Sequence, residues 1–233
     1  MVTKWLHLSE LGGDPWVLPI WTAVNKAVEA KKVQALSKDQ RELGVHVSAR
    51  LNILPRIASR INTEAKVLCD IAKTHKPEHV FTATTHGAAL HVDDDLKYQL
   101  IADINAFLVE VNSCAELMSK FLQLLYAQAG IPIPDNKLTD MLRQILSKSN
   151  VSGDWFTILD RNRNFVTHNG TPYIAIDVSN QETWDLLIMK ENLVKFDDTK
   201  KFFTLSELGA VAEGFSNARV ALQKHLIDLY AGL

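Results

Sequence analysis

The stretch LKYQLIADINAFLVEVNSCAELMSKFLQLL, residues 96–125, decides the fold of this chain. Its apolar residues recur at steps of three and four, which predicts one apolar stripe along a long helix. The stripe consists of Ile101, Ile104, Leu108, Val111, Ala115, Met118, Leu122 and Leu125. This spacing is typical of a bundle seam. We expect Asp93, Asp94 and Asp95 to cap the helix, and Gly130 with residues 131–134 to end it.

The same periodicity predicts further helices on both sides of this one. A stripe from Lys38 to Thr74 predicts a second long helix, and Pro55 within it favours a kink near residues 51–55. Shorter helices are expected from Asp135 to about Lys148 and from about Asp154 to residue 168. A last helix begins at a cap, Thr204 or Ser206, and runs almost to the C-terminus.

Two segments before the last helix have the pattern of strands. Residues 172–178 alternate and are rich in β-branched and aromatic side chains, and residues 184–189 could pair with them. The predicted fold class is therefore mainly α. Two long and two shorter helices from residue 96 onward, counting the last helix, would close a four-helix bundle with a small β-hairpin inserted before that helix. We expect residues 96–233 to form this bundle and residues 1–95 to form an N-terminal helical extension packed on it.

Composition excludes several classes of protein. The chain has 233 residues, 47% of them hydrophobic, so it can bury a real core, and its formal net charge of -2 gives no global field for holding nucleic acid. Cys69 and Cys114 are isolated in apolar helical patterns, which favours buried free thiols in a reducing compartment. Without an apolar signal core or membrane-length stretch, we expect a soluble, cytoplasmic protein that does not associate with a membrane.

The sequence RNFVTH, residues 163–168, is the best candidate for chemistry. Asn164 and His168 are four residues apart and share one helix face, while Arg163 lies to the side. A guanidinium can neutralise charge developing on a phosphate, and an imidazole can move protons near neutral pH. We expect the three polar ends to converge, with Asn164 holding one imidazole nitrogen of His168.

This arrangement resembles the signature of the HEPN superfamily: an arginine, a polar residue directly after it, and a histidine, with four to six residues between the arginine and the histidine. Arg163, Asn164 and His168 match it, over residues 96–233, toward the end of the third helix of the bundle. Arg161-Asn162 also satisfies the looser spacing. We prefer Arg163 because that register puts Asn164 one helical turn before His168, which leaves Arg161 as an auxiliary phosphate contact.

The resemblance implies a metal-independent endoribonuclease or RNA-binding protein with motifs facing each other in a homodimer. It further suggests stress or defence systems and an antitoxin or other protein partner. His168 would act as general base or acid, Arg163 would hold the scissile phosphate, and Asn164 would orient His168. Arg161 and Asn169 would contact the substrate. The resemblance implies no cofactor and no metal.

Two alternatives stay open for the same residues. The cluster can be an ordinary helix C-cap, in which His168 bonds terminal carbonyls, Asn169-Gly170 makes the left-handed turn and Arg163 forms a surface ion pair. A bundle of this kind can also be a noncatalytic module that binds a protein or a nucleotide. Charges between Asp135 and Gly170 are nearly balanced, so they do not decide between these functions.

A third hypothesis is a metal-dependent hydrolase that uses the histidine and aspartate residues of segment 75–95. Half of the eight histidines lie in this segment, followed by three aspartates. They are His75, His79, His86 and His91, with Asp93, Asp94 and Asp95. Pro77 interrupts the segment, which we interpret as a solvated loop, and the spacing matches no strong zinc pattern.

Two further features have structural interpretations. Trp5, Trp16 and Trp21 form an aromatic N-terminal segment without clustered basic residues, so we expect it to pack on the bundle or on a dimer partner. Arg219 lies on the apolar stripe of the last helix. It can snorkel, which we favour, pair with an inward acid, or point at the proposed site.

Overall fold

A computed structural model describes residues 13–83, 87–132, 138–180, 183–193 and 196–233. The described helices are α1 (Val17–Glu29), α2 (Lys38–Thr74), α3 (Asp94–Gln128), α4 (Leu138–Lys148), α5 (Asp154–His168) and α6 (Leu205–Ala231). The described strands are β1 (Val80–Ala83), β2 (Ala88–Leu90), β3 (Tyr173–Asp177), β4 (Asp185–Met189) and β5 (Phe202–Thr204). The chain is therefore mainly helical, as predicted.

The two long helices, α2 and α3, pack along each other. Helix α2 has the predicted bounds and runs uninterrupted through Pro55. Its first turn is closed by a capping box, in which Ser37 and Gln40 each accept the other's backbone N–H. Helix α3 is capped by the Asp93 carboxylate, which accepts from the backbone N–H groups of Asp95 and Leu96 and so confirms this prediction.

The helices after residue 93 form the predicted bundle-like arrangement. Helix α3 packs against α4 and α5, and α6 packs against the same two helices. Helix α1 lies against α6, and α2 covers α3. One cluster of buried apolar residues includes side chains from all six helices, so the N-terminal helices share the core of the bundle. The predicted start of α4 at Asp135 falls outside the described residues.

The crossing of α5 and α6 depends on a glycine. Trp155 of α5 stacks on Phe156, with ring centroids 3.8 Å apart, and meets Phe215 of α6 edge-on. A Cβ atom at Gly214 would lie 2.5 Å from the Trp155 side chain. Any larger residue at position 214 would push the two helices apart, so this contact fixes α5 against α6.

The predicted hairpin between α5 and α6 is present, and a third strand extends it. Strands β3 and β4 are antiparallel, with Tyr173 opposite Met189 and Asp177 opposite Asp185. Strand β5 pairs with the other side of β4. Strand β5 was not predicted from the sequence, because it has only three residues and ends at Thr204, the N-cap of α6. The sheet buries Leu186, Ile188 and Phe203 against the helices.

The interpretation of segment 75–95 as a loop was partly wrong. Residues 80–83 and 88–90 form an antiparallel pair, in which Val80 lies opposite Leu90. The backbone N–H of His91 donates to the His79 carbonyl oxygen at 3.0 Å, which continues the pairing by one residue. Strands of four and three residues are too short to give a clear alternating pattern, so cross-strand hydrogen bonding decides this hairpin rather than local sequence.

Candidate functional site

The candidate site is built on the last two turns of α5. The helix turns Trp155, Phe156, Leu159 and Asn162 into the interior, and it ends at His168 as predicted. The backbone N–H of Asn169 donates to the Phe165 carbonyl oxygen at 2.8 Å, and Gly170 has a φ of 151°. That backbone angle favours glycine, so Gly170 sets the direction in which the chain leaves the helix.

One face of α5 carries Arg161, Asn164, Phe165 and His168. Arg161 and His168 are seven residues apart, about 20° short of two full turns and about 10.5 Å along the axis. His168 and Asn164 are exposed, and neither side chain forms a hydrogen bond or ion pair with any residue that the structure describes. The imidazole is therefore open to solvent and to an incoming ligand.

Arg163 points away from this face. It lies about 140° around the helix from His168, and its Nη2 is 3.8 Å from Asp160 Oδ1, one turn toward the helix N-terminus. Its Nε is buried and has no hydrogen-bond partner among the residues that the structure describes. Among the described contacts none joins Arg163 to His168, so the expected convergence of Arg163, Asn164 and His168 is not seen within one chain.

Arg161 connects α5 to the start of α6. Its Nη2 donates to Glu207 Oε1 at 2.9 Å, and its Nε donates to Asn162 Oδ1 at 3.3 Å. Glu207 also closes the α6 capping box, in which Oε2 accepts from the Thr204 backbone N–H. Asn162 is fully buried, and its Nδ2 is without a partner in the described structure. If Arg161 and Asn162 are the motif residues, the Arg161 guanidinium lies on the His168 face, and the Asn162 amide is buried and accepts a hydrogen bond from Arg161.

Lys190, directly after β4, belongs to the site and was not predicted from the sequence. Its Nζ lies 5.9 Å from the centre of the Phe165 ring. Burial lowers the pKa of Lys190, and the nearby Arg161 cation lowers it further, while Glu207 partly opposes both effects. No local sequence signal identifies Lys190, because only the pairing of β4 with its neighbours brings it to α5.

We call Arg161, its ion-pair partner Glu207 and the neighbouring Lys190 the α5 cationic cluster. The cluster contains two cations and one carboxylate, so it has an excess positive charge. The half-buried Phe165 ring lies beside Lys190 on the same α5 face, and the exposed His168 ends that face. An added anion would relieve the repulsion between the cations, and the imidazole could exchange protons with it.

His75, His79 and Asp94 of segment 75–95 have partners within the protein. His75 Nδ1 contacts the Ala72 carbonyl oxygen at 2.6 Å, and His79 Nδ1 accepts from the Lys76 backbone N–H at 3.2 Å. Asp94 forms an ion pair with Lys97 at 2.6 Å. Within the described ranges no three histidine, cysteine, aspartate or glutamate residues are grouped as metal ligands. His86 lies outside the described residues.

Trp16, Arg219 and Cys114 have structural roles in the part of the chain that the structure describes. Trp16 is buried in the core, and its Nε1 donates to the Arg219 carbonyl oxygen at 2.6 Å, whereas Trp5 lies outside the described residues. The Arg219 guanidinium pairs with Asp14 at 2.9 Å, so the favoured snorkelling interpretation was wrong and pairing with an acid is observed. Burial raises the pKa of Cys114 to about 12, as expected for an inert buried thiol.

Comparison of the chain with protein-family models, with curated proteins and with solved structures finds no match. None of the described helices has the combination of length and apolarity that crossing a bilayer requires.

Proposed function

We propose that this protein binds RNA at the C-terminal end of α5 and cleaves its backbone without a metal ion. The observation that carries the proposal is the α5 cationic cluster, in which Arg161 pairs with Glu207 and a second cation, Lys190, lies beside Phe165 on the face that ends in His168. Phosphodiesters are the common polyanions that such a cluster suits, and Phe165 adds an aromatic surface. The HEPN-like position of the motif, late in the third bundle helix, agrees with this function.

The chemistry needs only groups of the kind present. The RNA 2′-hydroxyl attacks the adjacent phosphorus, so the P–O2′ bond forms while the P–O5′ bond breaks. A base removes the 2′ proton, an acid protonates the departing 5′ oxygen, and cations stabilise the added charge. His168 serves as the base or the acid. In this proposal Arg161, rather than Arg163, holds the phosphate, because Arg161 shares the face of His168 and Arg163 points toward Asp160.

A second copy of the chain would complete the site. One chain supplies one exposed imidazole, and its Arg163 points away from that imidazole. In a homodimer with facing α5 helices, the second His168 would supply the opposite acid–base partner, and the basic surface would double. Sedimentation of the purified protein should then give a dimer mass, and the dimer should persist in the His168→Ala variant.

Cleavage of labelled single-stranded RNA in excess chelator tests the proposal. We expect His168→Ala to lower the rate about 10²- to 10⁴-fold, because an acid–base group is lost. The matched control is His46→Ala, which removes an exposed histidine from α2. Arg161→Ala should reduce cleavage, and Arg56→Ala on α2 should not. An RNA with 2′-deoxyribose at the cleaved position should resist the enzyme.

Three results would contradict this function or restrict it. Activity that disappears with chelator would favour a metal-dependent hydrolase. Equal rates for wild type and His168→Ala would remove His168 from the chemistry. Binding of RNA that depends on Arg161 without any cleavage would leave a noncatalytic RNA-binding module. A protein partner such as an antitoxin stays a prediction of the HEPN resemblance.

A further inference from the structure

A groove of about 440 Å³ lies between the first turns of α3 and the start of β3. Two tyrosines on its lining, Tyr98 of α3 and Tyr173 of β3, are 56% and 50% exposed. Large aromatic side chains that are half exposed beside a concave surface are typical of binding sites. The volume lies toward the lower end of the range for small-molecule sites, which is about 300–1,000 Å³. The groove therefore suits a ring system better than a protein surface.

The lining of the groove combines apolar side chains with polar groups. Ile101 and Met189, which are 6% and 5% exposed, contribute buried apolar side chains. Thr171 and Asn192 also line the groove and bring hydroxyl and amide groups. The Tyr98 and Tyr173 rings make no ring contact with each other. A planar group with hydrogen-bonding edges could therefore lie against either ring.

Charge at the groove favours a neutral ligand. Lys97 Nζ lies 4.5 Å from the centre of the Tyr98 ring, so the cation is already placed against an aromatic face. The same ammonium pairs with Asp94 at 2.6 Å, which neutralises it. The groove thus has no excess positive charge of the kind found in the α5 cationic cluster. A nucleobase fits this environment better than a phosphate does.

The groove and the α5 cationic cluster lie at the same end of the sheet. Met189 of the groove is followed directly by Lys190 of the cluster. Thr171 of the groove is three residues after His168, so their Cα atoms are at most about 11 Å apart. Met189 is the last residue of β4 and Lys190 follows it, so the two surfaces meet at one strand end. A short single-stranded segment can reach both.

We infer that the groove between Tyr98 and Tyr173 is a nucleobase subsite for single-stranded RNA whose backbone contacts the α5 cationic cluster. The inference rests on the proposed function, because RNA as the ligand is taken from it. The two exposed tyrosine rings are present whether or not the protein cleaves RNA. Base stacking on tyrosine gives affinity with little sequence preference, because every base has an aromatic face. The subsite would therefore select unpaired RNA over a duplex.

Two variants separate stacking from other effects of the tyrosines. In Tyr98→Phe/Tyr173→Phe the rings remain, and in Tyr98→Ala/Tyr173→Ala they are removed. We expect the alanine pair to weaken binding of single-stranded RNA about tenfold or more, and the phenylalanine pair to bind within about threefold of wild type. Phe196→Ala is the matched control, since Phe196 is a 42% exposed aromatic residue outside the groove lining.

Titration with adenosine, monitored by amide NMR shifts, tests the subsite without the phosphate cluster. We expect shifts at Thr171 and Ile174 that are absent in the alanine pair. Those shifts without any RNA cleavage would keep the subsite and overturn the nuclease. The opposite result would overturn the subsite: the alanine pair binds RNA like wild type, and adenosine shifts no groove amide. If cleavage that depends on His168 is still observed in that case, the proposed function stands.

Discussion

Arg219 of α6 and Arg161 of α5 each form an ion pair with a residue outside their own helix, and the two pairs differ in environment. Arg219 pairs with the Asp14 carboxylate, whose side chain is 15% exposed, and Asp14 also accepts from the Trp16 backbone N–H. Arg161 pairs with Glu207 in a more open setting, with side chains 38% and 34% exposed, and a second cation, Lys190, lies close enough for Arg161 to lower its pKa. The first arginine has a counter-ion of its own and holds α1 against α6. Arg161 instead belongs to the α5 cationic cluster, which has an excess positive charge.

The difference separates a structural cation from an available one. A desolvated ion pair is strongly coupled to folding, because breaking it leaves one buried charge without a partner. A half-exposed pair contributes little, since water and salt screen it. Evidence for ligand binding is therefore better sought at Arg161 than at Arg219, although both cations lie on helices with apolar stripes.

The largest expected difference in stability is between Arg219→Ala and Arg161→Ala. Arg219→Ala should lower the free energy of unfolding by about 2–3 kcal/mol, because Asp14 keeps a poorly solvated charge. Arg161→Ala should cost less than about 1 kcal/mol. Urea unfolding followed by circular dichroism measures both. Equal losses would mean that Arg161 is as structural as Arg219, and the comparison would fail.

Local sequence predicted much of the fold because the long helices carry their own signals. The apolar stripe of residues 101–125, the Asp93 cap and the Thr204 cap each lie within one segment, so their positions could be read directly. The short strands β1, β2 and β5 could not, since their hydrogen-bond partners decide them. The partners of Arg219 and Arg161 are 205 and 46 residues away in sequence, beyond any local pattern.

The candidate site was likewise predicted only where local periodicity determines it. The end of α5 at His168 and the shared face of Asn164 and His168 follow from helical periodicity. The direction of Arg163 does not, because a side chain on a helix can reach toward the N-terminus and meet Asp160. Lys190 was missed because strand pairing, rather than proximity in sequence, places it beside Phe165.

A smaller change should show what does hold α5 in place. Gly214→Ala should destabilise the protein by about 1–3 kcal/mol, because the added methyl group would collide with Trp155. Gly209→Ala on the same helix is the matched control, since nothing lies within 4 Å of its Cβ position. It should be neutral or stabilising by up to about 1 kcal/mol. If both variants unfold at the same urea concentration, the glycine contact does not fix α5.

The smallest expected effect concerns the cost of crowding Lys190 beside Arg161. The pKa of Lys190 is lowered in the folded protein, first by burial and then by Arg161. The unfolded chain therefore binds this proton more tightly than the folded protein does. Below the pKa of the folded protein, the charged lysine opposes folding. This unfavourable contribution disappears as the pH rises from the folded pKa toward the unfolded pKa. Lys190→Met should stabilise the protein by at most about 0.5 kcal/mol at pH 8.

The stability advantage of Lys190→Met should shrink between pH 8 and pH 11. Unfolding both proteins in parallel across that range measures the difference, which cancels the titration of groups they share. An advantage that stays constant, or grows with pH, would show that Lys190 carries no electrostatic penalty in the folded state.

The salt dependence of RNA binding tests most directly whether the α5 cationic cluster holds a phosphate backbone. For single strands, each phosphate contact contributes about 0.7 to the slope of log binding constant against log salt concentration. We predict that Lys190→Ala and Arg161→Ala each reduce the magnitude of this slope by about 0.7, while Lys120→Ala, which removes an exposed lysine from α3, leaves it unchanged. Equal slopes for all four proteins would contradict the account.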